Sequence, residues 1–135
     1  MSEPAAIEEL DVIVVGAGIS GIGAAYHLAH RCPGKRFTVL EAKGTFGGTW
    51  VTHTYPGVRS DSDLHTFGYG FKPWVGRPIA TGDEIVHYLG EVIDENDLGS
   101  RIRYQHKITS ARWSSDERRW TLEVIRTDTG EELAF

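Results

Sequence analysis

The chain of 135 residues is long enough for one domain with a real core, and its 40% apolar and 24% charged residues are ordinary for a soluble globular protein. A net charge of −5 and a pI of about 5.6 leave no basic footprint for a nucleic acid, so the charge balance bears mainly on solubility. The single cysteine excludes an intrachain disulfide and fits a reducing, cytoplasmic compartment, and no stretch approaches the ~20 apolar residues that span a bilayer.

Met1 to Glu9 is acidic, lacks the basic start and apolar core of a secretory signal, and reads as a loose leader. Leu10 and Val12 to Val15 then form a short apolar run rich in β-branched residues, expected of a strand covered on both faces. Gly16, Gly18 and Gly21 follow in GxGxxG spacing. Gly16 permits a sharp reversal, Gly18 lets the backbone approach a pyrophosphate, and Gly21 lets the next helix lie close to the strand. That helix is expected from about Ser20 to His30, with its N-terminal N–H groups and partial positive charge suited to two phosphates. Ile22, Ala25 and Ala29 share its inner face, and Pro33-Gly34 ends it. His27 and His30 have no third ligand nearby and read as surface residues, and Cys32 reads as a packing residue or free thiol.

The next apolar run, Phe37 to Leu40, ends in Glu41, twenty residues after Gly21. A carboxylate at that strand tip accepts hydrogen bonds from a ribose 2′-OH and repels a 2′-phosphate, which favours FAD or NAD over NADP here. Residues 10–41 therefore read as a βαβ dinucleotide fingerprint, the bland alternative being a structural turn with a solvated Glu. Residues 42–80 carry Gly47-Gly48-Thr49-Trp50, which suits a loop wrapped closely on a flat ligand, and the turn signal Tyr55-Pro56-Gly57. Phe67, Tyr69, Phe71 and Trp74 follow, either as part of that wrap or as a second small core. Arg59 and Asp61 lie inside this aromatic run, where unpaired charges are costly, so a paired or ligand-bound role is expected for both.

Thr81 and Glu84 form a capping-box start for a helix to about Glu95 that buries Ile85, Leu89, Val92 and Ile93. Ile102 to Tyr104 adds a short third parallel strand, so residues 81–104 supply a helix and a strand. From 105 to 135 the pattern alternates as a β-meander, with turns at Ser114 to Arg118 and Asp128-Thr129-Gly130.

The combination Gly16-Ala17-Gly18-Ile19-Ser20-Gly21, Glu41, Gly47-Gly48-Thr49-Trp50 and Tyr55 to Leu64 resembles the N-terminal, FAD-binding portion of class B flavin-dependent monooxygenases, of the Baeyer–Villiger and ethionamide-activating type. The stretch from Gly47 to Trp74 is the most specific part of that resemblance, which covers essentially the whole chain. It implies an α/β fold: a Rossmann-like parallel sheet from a flavoprotein with two dinucleotide-binding domains, truncated here, with an antiparallel β-meander at the C-terminal end. It implies FAD and NADPH as cofactors, and insertion of one atom of O₂ into a ketone, or into a sulfur or nitrogen centre of a small molecule, through a flavin C4a-peroxide. Carried over by position, Gly16, Gly18, Ser20 and Gly21 hold the FAD pyrophosphate and Glu41 the adenosine ribose. Gly48, Thr49 and Trp50 line the flavin side, and Ile108 meets the adenine through its backbone. Arg59, Ser60 and Asp61 lie at the nicotinamide side, and Asp61 is the catalytic candidate, matching an acid that works with an arginine of the NADPH domain.

The sequence holds no second GxGxxG and no Phe-x-Gly-x-x-x-His-x-x-x-Trp segment. These 135 residues alone are therefore expected to lack monooxygenase turnover, and a non-catalytic FAD-binding fragment is the second reading. A disulfide reductase of similar architecture is disfavoured, because no Cys-x-x-x-x-Cys pair follows the Gly-Gly loop.

Overall fold

The computed structural model describes residues 6–135. A parallel sheet is built from β1 (Val12–Val15), β2 (Phe37–Leu40) and β3 (Ile102–Arg103), in the order β1-β2-β3. A second, antiparallel sheet holds β4 (His106–Ser114), β5 (Arg119–Arg126) and β6 (Glu132–Ala134). The helices are α1 (Ile19–Arg31), the single turns α2 (Thr49–Thr52) and α3 (Leu64–Phe67), and α4 (Gly82–Glu95).

All four residues of β2 are buried, because the strand has a strand on each side and a layer on each face. The side-chain period of two sorts them. Phe37 and Val39 join the core formed with α1 and α4, around Ile22, Ala25, Ile85, Leu89 and Val92. Leu40 turns the other way, into a smaller core with Leu122, Val124 and Phe135 of the meander. Thr38 is buried too, and its hydroxyl donates to the Arg101 carbonyl at 3.0 Å. The result is three layers, helices on sheet on meander.

The α4 cap forms as the spacing predicts: the Glu84 N–H donates to Thr81 Oγ1 at 3.2 Å, while the Thr81 hydroxyl donates to the Glu84 carboxylate at 3.1 Å. Tyr88 joins the predicted inner-face residues, and its phenol accepts from the Tyr69 N–H at 3.0 Å. The meander closes at both expected turns, and Phe135 exchanges backbone hydrogen bonds with Leu122 at 2.8 and 3.0 Å.

Two expectations are corrected, and one open alternative is decided. Residues 1–5 of the leader lie outside the described residues, but residues 7–9 are tied down. Ile7 bridges Ala134, the Glu8 N–H donates to the Ala134 carbonyl at 3.1 Å, and Glu8 and Glu9 pair with Arg103 and Arg119. Glu8 and Glu9 thus each meet an arginine of a different sheet, Arg103 of β3 and Arg119 of β5. The strand expected to be covered on both faces, β1, is only half-buried, and Val15 is 68% exposed. Among the described residues no strand pairs with its outer edge. The aromatic run is core as well as loop. Tyr69 and Phe71 stack with ring centroids 4.6 Å apart, Phe71 stacks on Tyr26 of α1 at 3.5 Å, and Trp74 meets Tyr88 of α4 edge-on at 5.4 Å. The rings thus run from Tyr26 of α1 to Tyr88 of α4 and pack between the two helices.

Candidate functional site

The site grows from the end of β1. Gly16 takes φ +93°, a left-handed conformation that side-chain-bearing residues rarely adopt, and turns the chain from strand to helix. At Gly21 a Cβ would stand 1.8 Å from the Gly16 carbonyl oxygen, so only glycine allows α1 to pack against the turn. The helix begins with Gly18 as its N-cap, with no side-chain cap and no acidic residue in its first turn. Its first N–H groups are thus left for an outside acceptor, and the local dipole favours an anion. Ser20 is exposed in that first turn.

A second glycine pair faces the first. Gly47 has φ +125° and Gly48 φ +55°, and the Gly47 N–H donates to the Ala17 carbonyl at 2.9 Å. A Cβ on Gly48 would lie 3.0 Å from the Gly18 Cα, so the two loops approach backbone to backbone. Thr49 and Trp50 then open α2, with Thr49 exposed and Trp50 half-buried against the helical core.

Glu41 joins these parts. It is 8% exposed, its Oε1 accepts from the Ala17 N–H at 2.9 Å, and its Oε2 accepts from the Lys43 N–H at 2.9 Å. The carboxylate at the tip of β2 therefore fastens the glycine turn to the loop that follows β2. Two ionised oxygens offer about four acceptor directions, so sites remain for two hydroxyl donors such as those of a ribose. Tyr104 lies nearby: burial first, and the Glu41 charge second, push its phenol above the usual range. The residues fit a dinucleotide on three counts: uncapped helix N–H groups, a backbone cleft that a Cβ would narrow, and a carboxylate with acceptor capacity to spare.

The structure thus brings Gly16, Gly18, Gly21, Glu41 and Gly48 into one cluster. Arg59, Ser60 and Asp61 sit on a separate segment pinned to the start of α4. Arg59 bridges Thr81, the Ser60 N–H donates to Ala80 at 2.9 Å, and the Gly82 N–H donates to Val58 at 3.0 Å. Ser60 is buried, and its hydroxyl donates to the Ser62 carbonyl at 2.9 Å within its own turn, while the Arg59 and Asp61 side chains are exposed. Ile108 lies at a bulge of β4, partly buried in the meander core and reached through His106, whose N–H donates to the Glu41 carbonyl at 2.9 Å.

Sequence reasoning missed three supports. Tyr69 donates from its phenol to the Ile19 carbonyl beside the glycine turn, with its ring against Gly23. Lys43 holds Thr52 of α2 through its ammonium. Gln105 has φ +60°, unusual for a residue with a side chain. The first joins residues fifty apart in the chain and the second residues nine apart, and no spacing announces either. A concavity of about 890 Å³ lies elsewhere, between β1 and the meander, and holds none of the glycine cluster. Among the described residues no group of three or more potential metal ligands comes together, and no helix is long and apolar enough to cross a membrane.

Comparison with known proteins follows the same geometry. Residues 14–77 match the NAD(P)-binding Rossmann-like domain. The FAD-containing monooxygenase EthA of Mycobacterium tuberculosis is 48% identical over 118 residues, covering 87% of this chain and 24% of that protein. The probable FAD-binding monooxygenase AlmA of an Acinetobacter species gives the same identity and coverage. Among solved structures, an oxidized steroid monooxygenase bound to NADP aligns with a TM-score of 0.79 at 36% identity, covering 93% of this chain and 24% of the other. By sequence and by fold, this chain matches the N-terminal portion of the FAD-containing monooxygenases. Cyclohexanone monooxygenase from Rhodococcus sp. Phi1 bound to NADP+ aligns with a TM-score of 0.80 at 30% identity, covering 96% of this chain and 25% of the other. The chain spans about a quarter of the length of the monooxygenases it matches.

Proposed function

We propose that this chain binds FAD at the cluster of Gly16, Gly18, Gly21, Glu41 and Gly48, as the FAD-binding portion of a class B flavin monooxygenase. The observation that carries the reading is the Glu41 carboxylate held by the Ala17 and Lys43 N–H groups, directly beside the uncapped start of α1. The α1 N–H groups, with Ser20 at the rim, bind the pyrophosphate. Glu41 accepts from the adenosine ribose, and the Ile108 backbone meets the adenine. Gly48, Thr49 and Trp50 border the flavin. Bound FAD supplies electron transfer from NADPH and the activation of O₂ for delivery of one oxygen atom to a ketone, or to a sulfur or nitrogen centre.

The protein's part is to orient the cofactor and keep water from it. Asp61 takes the nicotinamide side with Arg59 and Ser60. Its backbone is positioned by the Ser60–Ser62 turn and by the bridge from Arg59 to Thr81, which leaves its carboxylate open to solvent and to a partner cation. The sequence contains one GxGxxG, so these 135 residues bind FAD without turning over NADPH by themselves. The alternative, a module that binds FAD and has no part in oxygenation, shares the same cofactor site.

The experiment is a titration of the purified chain with FAD, followed by desalting and release of the flavin on denaturation. Retained FAD, weakened about tenfold or more by Glu41→Ala as expected for a lost charge-assisted hydrogen bond, supports the assignment. Failure to take up FAD in excess refutes it. NADPH oxidation coupled to product formation by this chain would refute the claim that it does not turn over alone.

A further inference from the structure

Gln105 joins β3 to β4 with φ +60°, a left-handed conformation that a side chain makes costly and that persists where the surroundings hold it. The surroundings here are two segments, the loop of Ala42, Lys43 and Gly44 and the turn at Thr127. The Gln105 N–H donates to the Lys43 carbonyl at 3.0 Å, and its own carbonyl accepts from the Thr127 N–H at 2.9 Å. Its side-chain Oε1 accepts from the Thr127 hydroxyl at 2.6 Å, and that hydroxyl also lies 3.4 Å from the Ala42 carbonyl. On the other side, a Cβ on Gly44 would stand 2.8 Å from Gln105 Nε2, so the amide occupies the space that Gly44 leaves open. Both neighbouring contacts lead to one group: the Lys43 N–H donates to Glu41 Oε2, and the His106 N–H donates to the Glu41 carbonyl.

We propose that Gln105 is a positioning residue for the adenosine end of the FAD site. Wedged between Thr127 and Gly44, it holds the Ala42–Gly44 loop, and through Lys43 the Glu41 carboxylate, in the arrangement that receives the ribose. This rests on the FAD reading above. Gln105 touches no cofactor atom in this role; it acts through the loop that Glu41 shares.

Gln105→Gly tests it without disturbing the backbone, because glycine adopts the same φ at no steric cost. In the full 135-residue chain, FAD and ADP, which both carry the adenosine diphosphate, are expected to bind about fivefold more weakly, the worth of one lost hydrogen bond. FMN, which lacks the adenosine, binds as before. Thr127→Val, which removes the donor, gives the same selective loss. Gly44→Ala displaces the amide and mimics it, and adds nothing further in the Gln105→Gly background, since both changes break one contact.

Amide hydrogen exchange supplies a readout independent of flavin. The Ala17 and Lys43 amides, which Glu41 holds, exchange faster in Gln105→Gly, while those of α4 do not change. Equal loss of FAD and FMN affinity, additive effects of Gly44→Ala and Gln105→Gly, or unchanged exchange at Ala17 and Lys43 each overturns the proposal. A wild-type chain that takes up no FAD overturns the cofactor reading instead, and the exchange experiment still decides whether Gln105 sets the Glu41 loop.

Discussion

Two glycines three residues apart do different work. A methyl group at Gly21 meets a backbone carbonyl at 1.8 Å, which no rotamer change relieves, so the turn or the helix must move. Overpacking of this kind costs about 1–3 kcal/mol or more, and urea denaturation of Gly21→Ala should show at least that loss, with FAD binding lost as a consequence. At Gly18 the nearest atom is the Gly48 Cα at 3.6 Å, an ordinary contact, and its φ is not left-handed. Gly18→Ala should therefore keep its urea midpoint to within about 0.5 kcal/mol of wild type and still bind FAD poorly, because the added methyl narrows the cleft between the two loops. If Gly18→Ala binds FAD normally, the cleft is not where the pyrophosphate lies. The spacing of these glycines was visible in the sequence. The distances that separate their roles were not, because they depend on where the Gly16 carbonyl and the Gly48 loop come to rest.

At the scale of elements, α1, α4 and the meander follow local rules. A cap of Thr81 and Glu84, an apolar stripe and alternation around two turns are all short-range signals, and each produced the element it announced. The aromatic run was ambiguous for a physical reason. A loop that lines a ligand and a loop that fills a gap between two helices need the same flat residues, and only the stacking of Phe71 on Tyr26 and Tyr69 shows the second use. The N-terminal segment was misread because its partners, Arg103 and Arg119, are distant in sequence. That segment carries a pH signature. Hydrogen bonding from Arg103 holds the Glu8 carboxyl below the usual carboxylate range, against a smaller opposing effect of burial. A depressed folded-state pKa contributes stability that is present above the ordinary carboxylate value of about 4.3 and is lost as pH falls through the lowered one. The Glu8 amide, bonded to Ala134, should thus lose exchange protection on acidification below about pH 4, earlier than the amides of β5, and Glu8→Gln should already show the loss at pH 7. Equal protection of Glu8 and β5 throughout would mean that backbone pairing alone holds the segment.

For the molecule as a whole, the order β1-β2-β3 puts the strand that leads into the glycine turn at the edge of the sheet. β2 is sheltered by neighbours on both sides, whereas among the described residues the outer edge of β1 has none. Val15 is exposed there, and Ile13 and Val15 line the 890 Å³ groove that runs toward Trp113 and Trp120. Those two tryptophans face each other across β4 and β5, with ring centroids 5.7 Å apart, and each is more than half exposed. A bare strand edge, beside a groove that carries exposed tryptophans among charged side chains such as Arg36 and Arg118, is a template for pairing with another chain. The 135-residue chain should accordingly self-associate as its concentration rises, read by sedimentation velocity. Val15→Lys places a charge on the exposed edge without entering either core, and should shift the distribution toward monomer while leaving the urea midpoint within about 0.5 kcal/mol. If Val15→Lys associates as strongly as wild type, the contact lies elsewhere, and Trp113→Ser with Trp120→Ser distinguishes the aromatic face from the strand edge.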